Sequence, residues 1–332
     1  MPSVRVVPLA YNTVYLWENN GARVLVDTGP DYRGAWEALQ AALEGVVPDL
    51  VVATHGHIDH AGLGARWQAL GVPVAIGAAD ERLAREHQFA HQAEFEAFRA
   101  FILSCEAPAD VTAEALEGLA TARDRSPSLA APGYRPAGRG ARYPTALRME
   151  HFVPDRLLGG DVELPGGLRA LACPGHTPGN LVLWDATERW LFSGDQLLPD
   201  ITPVPGIQWG PAVGSQQSAV GTRNSELGTS TRFRSLPAFV SSLERLRTLG
   251  ATRCFPGHGE PFGDVDGMID ANLAQVSQRT ARVRELLAGE PSLFTLCERL
   301  YPRAARRRFW QIVAIVQGHL DLIEREGERG TP

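Results

Sequence analysis

The sequence predicts an α+β protein with one large layered domain and a smaller helical appendage. Three observations carry this. Short apolar runs alternate with turns and amphipathic stretches over the first third of the chain. A helical stretch and a Pro/Gly-rich loop then interrupt the alternation, and from Gly267 onward the pattern is helical. With 332 residues, 44% of them apolar, the chain can fill a two-layer or four-layer core.

The elements follow in order. Val4 to Val7, Thr13 to Trp17 and Arg23 to Val26 read as strands, with Asn19-Asn20-Gly21 as the hairpin turn between the last two. Tyr32 to Leu43 places Ala35, Trp36, Leu39 and Leu43 at helical spacing. Leu50 to Ala53 is a short buried strand, Gly64 to Leu70 a helix, and Val72 to Ile76 another strand. Asp80 to Cys105 lacks Pro and Gly and carries Leu83, His87, Ala90, Phe98, Phe101 and Ile102 at largely helical spacing. Asp110 to Asp124 is also helical, and Pro127, Pro132, Gly133, Pro136, Gly138, Gly140 and Pro144 mark a loop. Residues 79–150 thus form an insertion that caps or flanks a site, or mediates a homodimer. Strands resume at Leu168 to Ala172, Leu181 to Trp184 and Trp190 to Phe192, and an irregular region runs from Leu198 to Ser235. Ser235 to Leu249 is a helix and Thr252 to Phe255 a strand; the helical end is broken near Gly289 to Pro291 and at Pro302. The expected domains are a catalytic unit over 1–272 and a helical unit over 273–332.

Composition narrows the chemistry. All 32 basic residues are arginine, which excludes a lysine Schiff base. The net charge of −6 supplies no global basic field for nucleic acid. No stretch is apolar enough to span a membrane, and the start at Met1-Pro2-Ser3-Val4 lacks a secretory pattern, so the expected location is the cytoplasm. Cys105, Cys173, Cys254 and Cys297 are too scattered for a disulfide framework. Burial is the expectation for each, with Cys173 also close enough to His176 to shape an active-site wall.

The strongest signal is Thr54-His55-Gly56-His57-Ile58-Asp59-His60, directly after a buried strand. Three imidazoles and a carboxylate at such density suit zinc, iron, nickel or manganese. His55 and His57 can serve one ion while the following turn carries Asp59 and His60 toward a second. Three later loops each add one donor in a strand-end setting: His176 in Cys173-Pro174-Gly175-His176-Thr177-Pro178-Gly179, Asp195 after Phe192-Ser193-Gly194, and His258 in Pro256-Gly257-His258-Gly259. Asp27, ending an early strand, is expected to hold a ligating imidazole or its loop in place.

On these motifs the chain resembles the metallo-beta-lactamase superfamily, over roughly residues 4–265 apart from the insertion and the region after Leu198. The resemblance implies a four-layer αββα sandwich. It also implies His55, His57 and His176 around a first divalent ion and Asp59, His60 and His258 around a second, with Asp195 bridging. Zinc is the leading cofactor, with iron or manganese as alternatives. Asp195 running on to Asp200-Ile201-Thr202-Pro203, and then the helix-rich end, resembles glyoxalase II-like and lactamase-beta-like members that carry a winged-helix-like C-terminal extension.

The expected activity is hydrolysis by a hydroxide bridging the two ions, with Asp59 as the catalytic carboxylate orienting it. The expected substrate is a small-molecule thioester, ester or lactone. A phosphodiesterase or nuclease acting on RNA or single-stranded nucleic acid is the alternative, raised by Arg303, Arg306, Arg307 and Arg308 beside Phe309 and Trp310. A solvated helix face over buried aromatics is the preferred reading of that patch. Phe89, Phe95, Phe98 and Phe101 could wall an apolar pocket, although core packing is the commoner fate of such a stripe. Trp209, Arg223, Arg232 and Arg234 could meet an anionic substrate, with solubilising arginines as the plainer account. His87, His91, His151 and His319 lack the strand-end setting and are expected to bind no metal.

Overall fold

The computed structural model describes residues 1–86, 92–124, 147–199, 207–210 and 231–329. His87, Phe89, His91, Arg223, the Pro127–Pro144 loop and Asp200 to Pro203 lie outside the described residues. Ten α-helices, two short 3-10 helices and thirteen strands are assigned among those that are described.

Six strands form the first sheet: β1 (Ser3–Pro8), β2 (Thr13–Asn19), β3 (Ala22–Val26), β4 (Leu50–Ala53), β5 (Val74–Gly77) and β6 (Arg156–Leu158), hydrogen-bonded in that order. The first three strands run antiparallel and the rest parallel. Asn19 pairs with Ala22, which leaves Asn20-Gly21 as the two-residue turn the sequence predicts. The second sheet contains β7 (Val162–Glu163), β8 (Arg169–Ala172), β9 (Leu181–Asp185) and β10 (Trp190–Gly194). A two-stranded ribbon, β11 (Gln208–Gly210) with β12 (Thr231–Phe233), precedes the last strand, β13 (Arg253–Pro256). β13 joins the second sheet parallel to β10, giving the order β13-β10-β9-β8-β7.

The period-2 alternation of the strands builds four layers. Val14 and Leu16 face one way, against Leu39 and Leu43 of α1 (Ala35–Leu43). The short turn α2 (Ile58–Ala61) and α3 (Gly64–Ala69), through Trp67, complete that outer layer. Tyr15 and Trp17 face the other way, against Leu181, Leu183, Phe192 and Phe255 of the second sheet. Two buried polar ties fix the spacing between sheets: Trp17 Nε1 donates to Asp185 Oδ2 at 2.8 Å, and Tyr15 OH to the Pro256 carbonyl at 2.7 Å. The αββα expectation holds.

The insertion begins with α4 (Glu81–Arg85), α5 (Gln92–Ser104) and α6 (Ala109–Asp124). Beyond the sheets, Phe239, Leu243 and Leu246 of α7 (Ser235–Arg247) and Val265 and Ile269 of α8 (Val265–Leu286) cover the outer face of the second sheet. The chain ends in α9 (Leu293–Leu300) and α10 (Phe309–Arg329). α8 is one continuous helix across the expected boundary at 272/273. Phe95, Phe98 and Ile102 of α5 share a core with Phe294, Leu296, Phe309, Ile312 and Val313 of α9 and α10. The aromatic stripe of the insertion therefore packs within the chain.

Other expectations resolve simply. All four cysteines are buried and free; Cys173 packs in the core under α7. Arg232 makes a bidentate pair with Asp321, Arg234 pairs with Glu324 and Glu328, and Arg306 with Asp110 and Glu298. No helix among the described residues is long and apolar enough to cross a membrane.

His319 is a core histidine. The Thr280 hydroxyl donates to the Val276 carbonyl at 2.8 Å, so its oxygen accepts from His319 Nδ1–H, also at 2.8 Å. Burial, with Arg279 acting in the same sense, pushes this imidazole down to about 4 from its ordinary 6.5. The unfolded chain therefore takes up a proton near pH 6.5 that the fold refuses until about pH 4. Stability falls as pH drops through that window, by up to about 3 kcal/mol from this group. His319→Asn keeps a donor toward Thr280 and should flatten the pH dependence of the urea midpoint between pH 7 and 4.5. A slope equal to wild type would refute this.

Candidate metal centre

The predicted donors converge at the carboxyl ends of the strands. His55 leaves β4, and His57 has extended backbone (φ −70°, ψ 148°) immediately before α2. Asp59 and His60 lie on that single helical turn, closed by the His60 and Ala61 amides donating to the His57 carbonyl at 3.0 and 2.8 Å. The switch from extended to helical backbone splits the motif, sending two imidazoles to one side and a carboxylate and imidazole to the other. His176 lies between β8 and β9, Asp195 directly follows β10, and His258 follows β13.

Two clusters result. His55 Nε2 and His176 Nε2 lie 2.9 and 3.0 Å from His57 Nδ1. In the second cluster, His258 Nε2 is 3.4 Å from both His60 Nε2 and Asp59 Oδ2, and His60 Nε2 is 3.8 Å from Asp59 Oδ2. Asp195 spans the two: Oδ1 is 3.3 Å from His60 Nε2 and from His258 Nε2, while Oδ2 is 3.5 Å from His176 Nε2. Each triad, and the set His55, His60 and Asp195, could hold a metal ion.

This donor set fits a pair of cations. A tetrahedral ion with bonds of about 2.0–2.2 Å requires donor atoms about 3.3–3.5 Å apart, which is the spacing of most second-cluster contacts. Asp195 Oδ1 is buried without a hydrogen bond of proper geometry, and so is His176 Nδ1. Several imidazoles aim ring nitrogens at one another, an arrangement that protons alone satisfy poorly.

The charge balance agrees. Burial pushes His55 and His57 below the ordinary imidazole range and His176 down to about 3, favouring the neutral form that binds metal. Burial would raise Asp59, but His60 and His258 outweigh it and hold the carboxylate at about 2. Asp195 is likewise held well below the carboxylate range by His258 and His60 against its burial. Burial opposes charge on His258, yet Asp195 and Asp59 push it up to about 10.

Asp27 orders the second cluster as the sequence predicts. Oδ2 accepts from His60 Nδ1 at 2.7 Å, which turns Nε2 toward the cluster, and Oδ1 accepts from the Thr54 amide and hydroxyl at 2.8 Å each. Since the Thr54 hydroxyl donates to Asp27, its oxygen accepts from His55 Nδ1 at 3.1 Å and frees His55 Nε2 for the first cluster. An unpaired buried carboxylate would cost several kcal/mol; three hydrogen bonds to this charge, each about 1.5–3 kcal/mol, offset that. Asp27 adopts φ 67°, a left-handed conformation that Asp and Asn tolerate better than most residues. Gly257 is needed for close approach: a Cβ there would lie 2.6 Å from His60 Cε1 and 2.8 Å from Asp195 Oδ1.

A cavity of about 210 Å³ opens beside His57, bounded by Leu83 and Arg82 of α4, Glu94 of α5, Pro178, Gln208 and Trp209. Arg82 pairs with the buried Glu94, and Trp209 packs on Phe98 and Phe101 with ring centroids 4.3 and 5.9 Å away. His151 bonds the Ala84 carbonyl and stands apart from the clusters, as does His319. The sequence reading missed one residue: Asp80, buried at the end of β5, whose carboxylate bonds both the first histidine loop and the His176 loop. Its position after a buried strand was the available signal.

A family model described as the metallo-beta-lactamase superfamily matches residues 7–258. The chain is similar to the "Probable metallo-hydrolase YqjP" of Bacillus subtilis (strain 168), with 28% identity over 333 residues that cover 98% of this chain and 92% of the relative. It is similar to the crystal structure of the metallo-beta-lactamase family protein TTHA1429 from Thermus thermophilus, with a TM-score of 0.65, 26% identity, and coverage of 98% and 94% of the two chains. A beta-lactamase domain protein from Burkholderia ambifaria shares the fold at a TM-score of 0.63, with 20% identity over 98% of this chain and 88% of that one.

Asp27→Asn preserves tolerance of the left-handed backbone while removing the charge behind His60. Ion affinity at the Asp59–His60–His258 cluster should fall about 10- to 100-fold, measured by competition with a chromophoric chelator. Wild-type affinity would show that the carboxylate does not support that cluster.

Proposed function

The chain belongs to the metallo-beta-lactamase superfamily, and from that premise we propose a dinuclear metal-dependent hydrolase acting on small-molecule thioesters, esters or lactones. The observation that carries the reading is Asp195, one oxygen of which meets the His60–His258 pair and the other His176. A carboxylate so placed suits a two-ion centre better than a single structural ion. His55, His57 and His176 would hold one ion, Asp59, His60 and His258 the other, with Asp195 between them. Bound divalent ions, zinc foremost and iron or manganese as alternatives, supply nucleophilic water at neutral pH and Lewis-acid stabilisation of a developing oxyanion.

The chain's own residues do the rest. Asp59 is buried and ionised, and we assign it to accept a hydrogen bond from the attacking water and orient it. The cavity beside His57 would receive the acyl part of the substrate, with Trp209 and Leu83 as apolar walls and the Gln208 side chain as a polar edge. Its size suits a small acyl group. Of its charged lining residues, Arg82 is paired with the buried Glu94, and Asp80 and Glu81 add two more carboxylates, so acidic groups outnumber the one arginine, which favours an uncharged substrate over a phosphodiester. Arg232, Arg234 and Arg306 are engaged by carboxylates of the chain, whereas Arg303, Arg307 and Arg308 of the basic patch are exposed; none of these arginines lines the cavity beside His57, which is why the small-molecule reading is preferred.

A hydrolysis panel on the metal-reconstituted protein tests this directly. Thioesters, esters and lactones should be cleaved and phosphodiesters and single-stranded RNA left intact. Chelation should abolish turnover, and Asp195→Ala should lower it at least 1,000-fold, on the order expected for losing ion-based charge stabilisation. Turnover that survives both changes would sink the proposal, and cleavage of RNA alone would replace it with the nuclease reading. Trp209→Leu should raise KM for acyl substrates about tenfold while kcat changes little. An unchanged KM would remove Trp209 from the substrate pocket.

A further inference from the structure

The first triad is drawn from opposite sheets. His55 and His57 lie on the loop after β4 of the first sheet, whereas His176 lies on the loop between β8 and β9 of the second. Their ring nitrogens nevertheless meet at 2.9 and 3.0 Å. Something must hold the two loops at a fixed separation.

One side chain bonds to both. Asp80 closes a short 3-10 turn, Ala78–Asp80, that follows β5, and it is fully buried. Its Oδ2 accepts from the Gly56 amide at 2.9 Å and from the Thr177 hydroxyl at 2.6 Å, and its Oδ1 accepts from the Gly179 amide at 2.7 Å. Gly56 is the residue between His55 and His57, and Thr177 directly follows His176. The carboxylate is thus one residue away from every member of the triad. The fit leaves no slack: a Cβ on Gly179 would lie 2.7 Å from Asp80 Oδ1.

The donor count dictates the residue type. Three donors point at Asp80, and an ionised carboxylate is acceptor-only, with lone pairs to meet all of them. An amide of the same shape has one acceptor oxygen and turns its NH₂ toward at least one donor. We infer that Asp80 is a positioning residue for the first ion site, setting the span between the His55–His57 loop and the His176 loop. The inference rests on the two-ion reading above. A merely structural tie between β5 and the second sheet would affect both halves of the centre, or the fold alone. A positioning role affects the His55–His57–His176 triad selectively.

Two backgrounds separate these cases. His258→Ala cripples the second cluster and leaves the first triad to report, and His176→Ala does the reverse. Zinc affinity of the full chain is measured in each by chelator competition, and cobalt absorption reports the ligand environment. Adding Asp80→Asn should weaken the ion in the His258→Ala background about 10- to 100-fold and shift its cobalt bands. In the His176→Ala background it should change neither. Thr177→Val, which removes only the hydroxyl donor, should produce a smaller shift with the same selectivity and serves as the test if Asp80→Asn does not fold. Equal weakening in both backgrounds, or in neither, overturns the inference. A wild-type protein that binds only one ion defeats the two-ion reading instead, and the His258→Ala comparison still reports on Asp80.

Discussion

Five imidazoles and two carboxylates meet at one edge of this fold, and their mutual contacts are the constraint to which the surrounding structure answers. Neutral imidazoles satisfy such contacts only by sharing protons: with His55 Nδ1 donating to Thr54, the single N–H at His57 Nδ1 is shared between His55 Nε2 and His176 Nε2, at 2.9 and 3.0 Å. Protons can relieve part of this: against burial, Asp27 and then Asp195 and Asp59 push His60 up, and Asp195 and Asp59 push His258 up. They leave His55, His57 and His176 neutral and facing each other, with Asp195 Oδ1 lacking a hydrogen bond of proper geometry. A pair of dications satisfies both halves at once. The cluster is thus a poor structural core and a good ion site, and its presence implies that binding supplies free energy the folded chain lacks alone.

Holding such a cluster together without ions requires braces outside it, and the fold places one carboxylate behind each half. Asp27, at the end of β3, grips His60 and the Thr54 backbone, which fixes the second cluster and, through the Thr54 hydroxyl, the tautomer of His55. Asp80, at the end of β5, grips the loops bearing the first triad. The two strands flank β4, from which the histidine motif departs. This symmetry of support follows from parallel pairing: three adjacent parallel strands deliver their carboxyl ends to the same edge, so each can contribute to one site.

Much of this was legible in the sequence because the signal is local. The density of His55, His57, Asp59 and His60, and the glycine-flanked strand ends at Asp195 and His258, can be read without knowing any tertiary contact. Asp80 was not legible in the same way. Helical periodicity from Leu83 onward absorbed it into the insertion, whereas in the structure a 3-10 turn caps β5 before that helix starts. The ribbon of β11 and β12 was hidden for a different reason, since three-residue strands between Gly-, Pro- and Ser-rich flanks carry no period to detect. β6, with three residues, and β7, with two, are no longer than these. The partner of the aromatic stripe on α5 was also beyond reach, because periodicity shows which face is buried and not what covers it.

That covering element ties the far end of the chain to the reaction centre. α10 packs with α9 on Phe98 and Ile102 of α5, Phe98 packs at a tilt on Trp209, and Trp209 forms a wall of the cavity beside His57. α10 also reaches the other side of the molecule, where Leu322 enters the core beneath α7 and Asp321 holds Arg232 of the ribbon that carries Trp209. The terminal helices therefore do more than decorate the sandwich. By fixing α5 and the β11–β12 ribbon together, they bound the cavity beside His57. Sequence change in α9 and α10 is accordingly a route to reshaping that cavity without altering any of the seven donors.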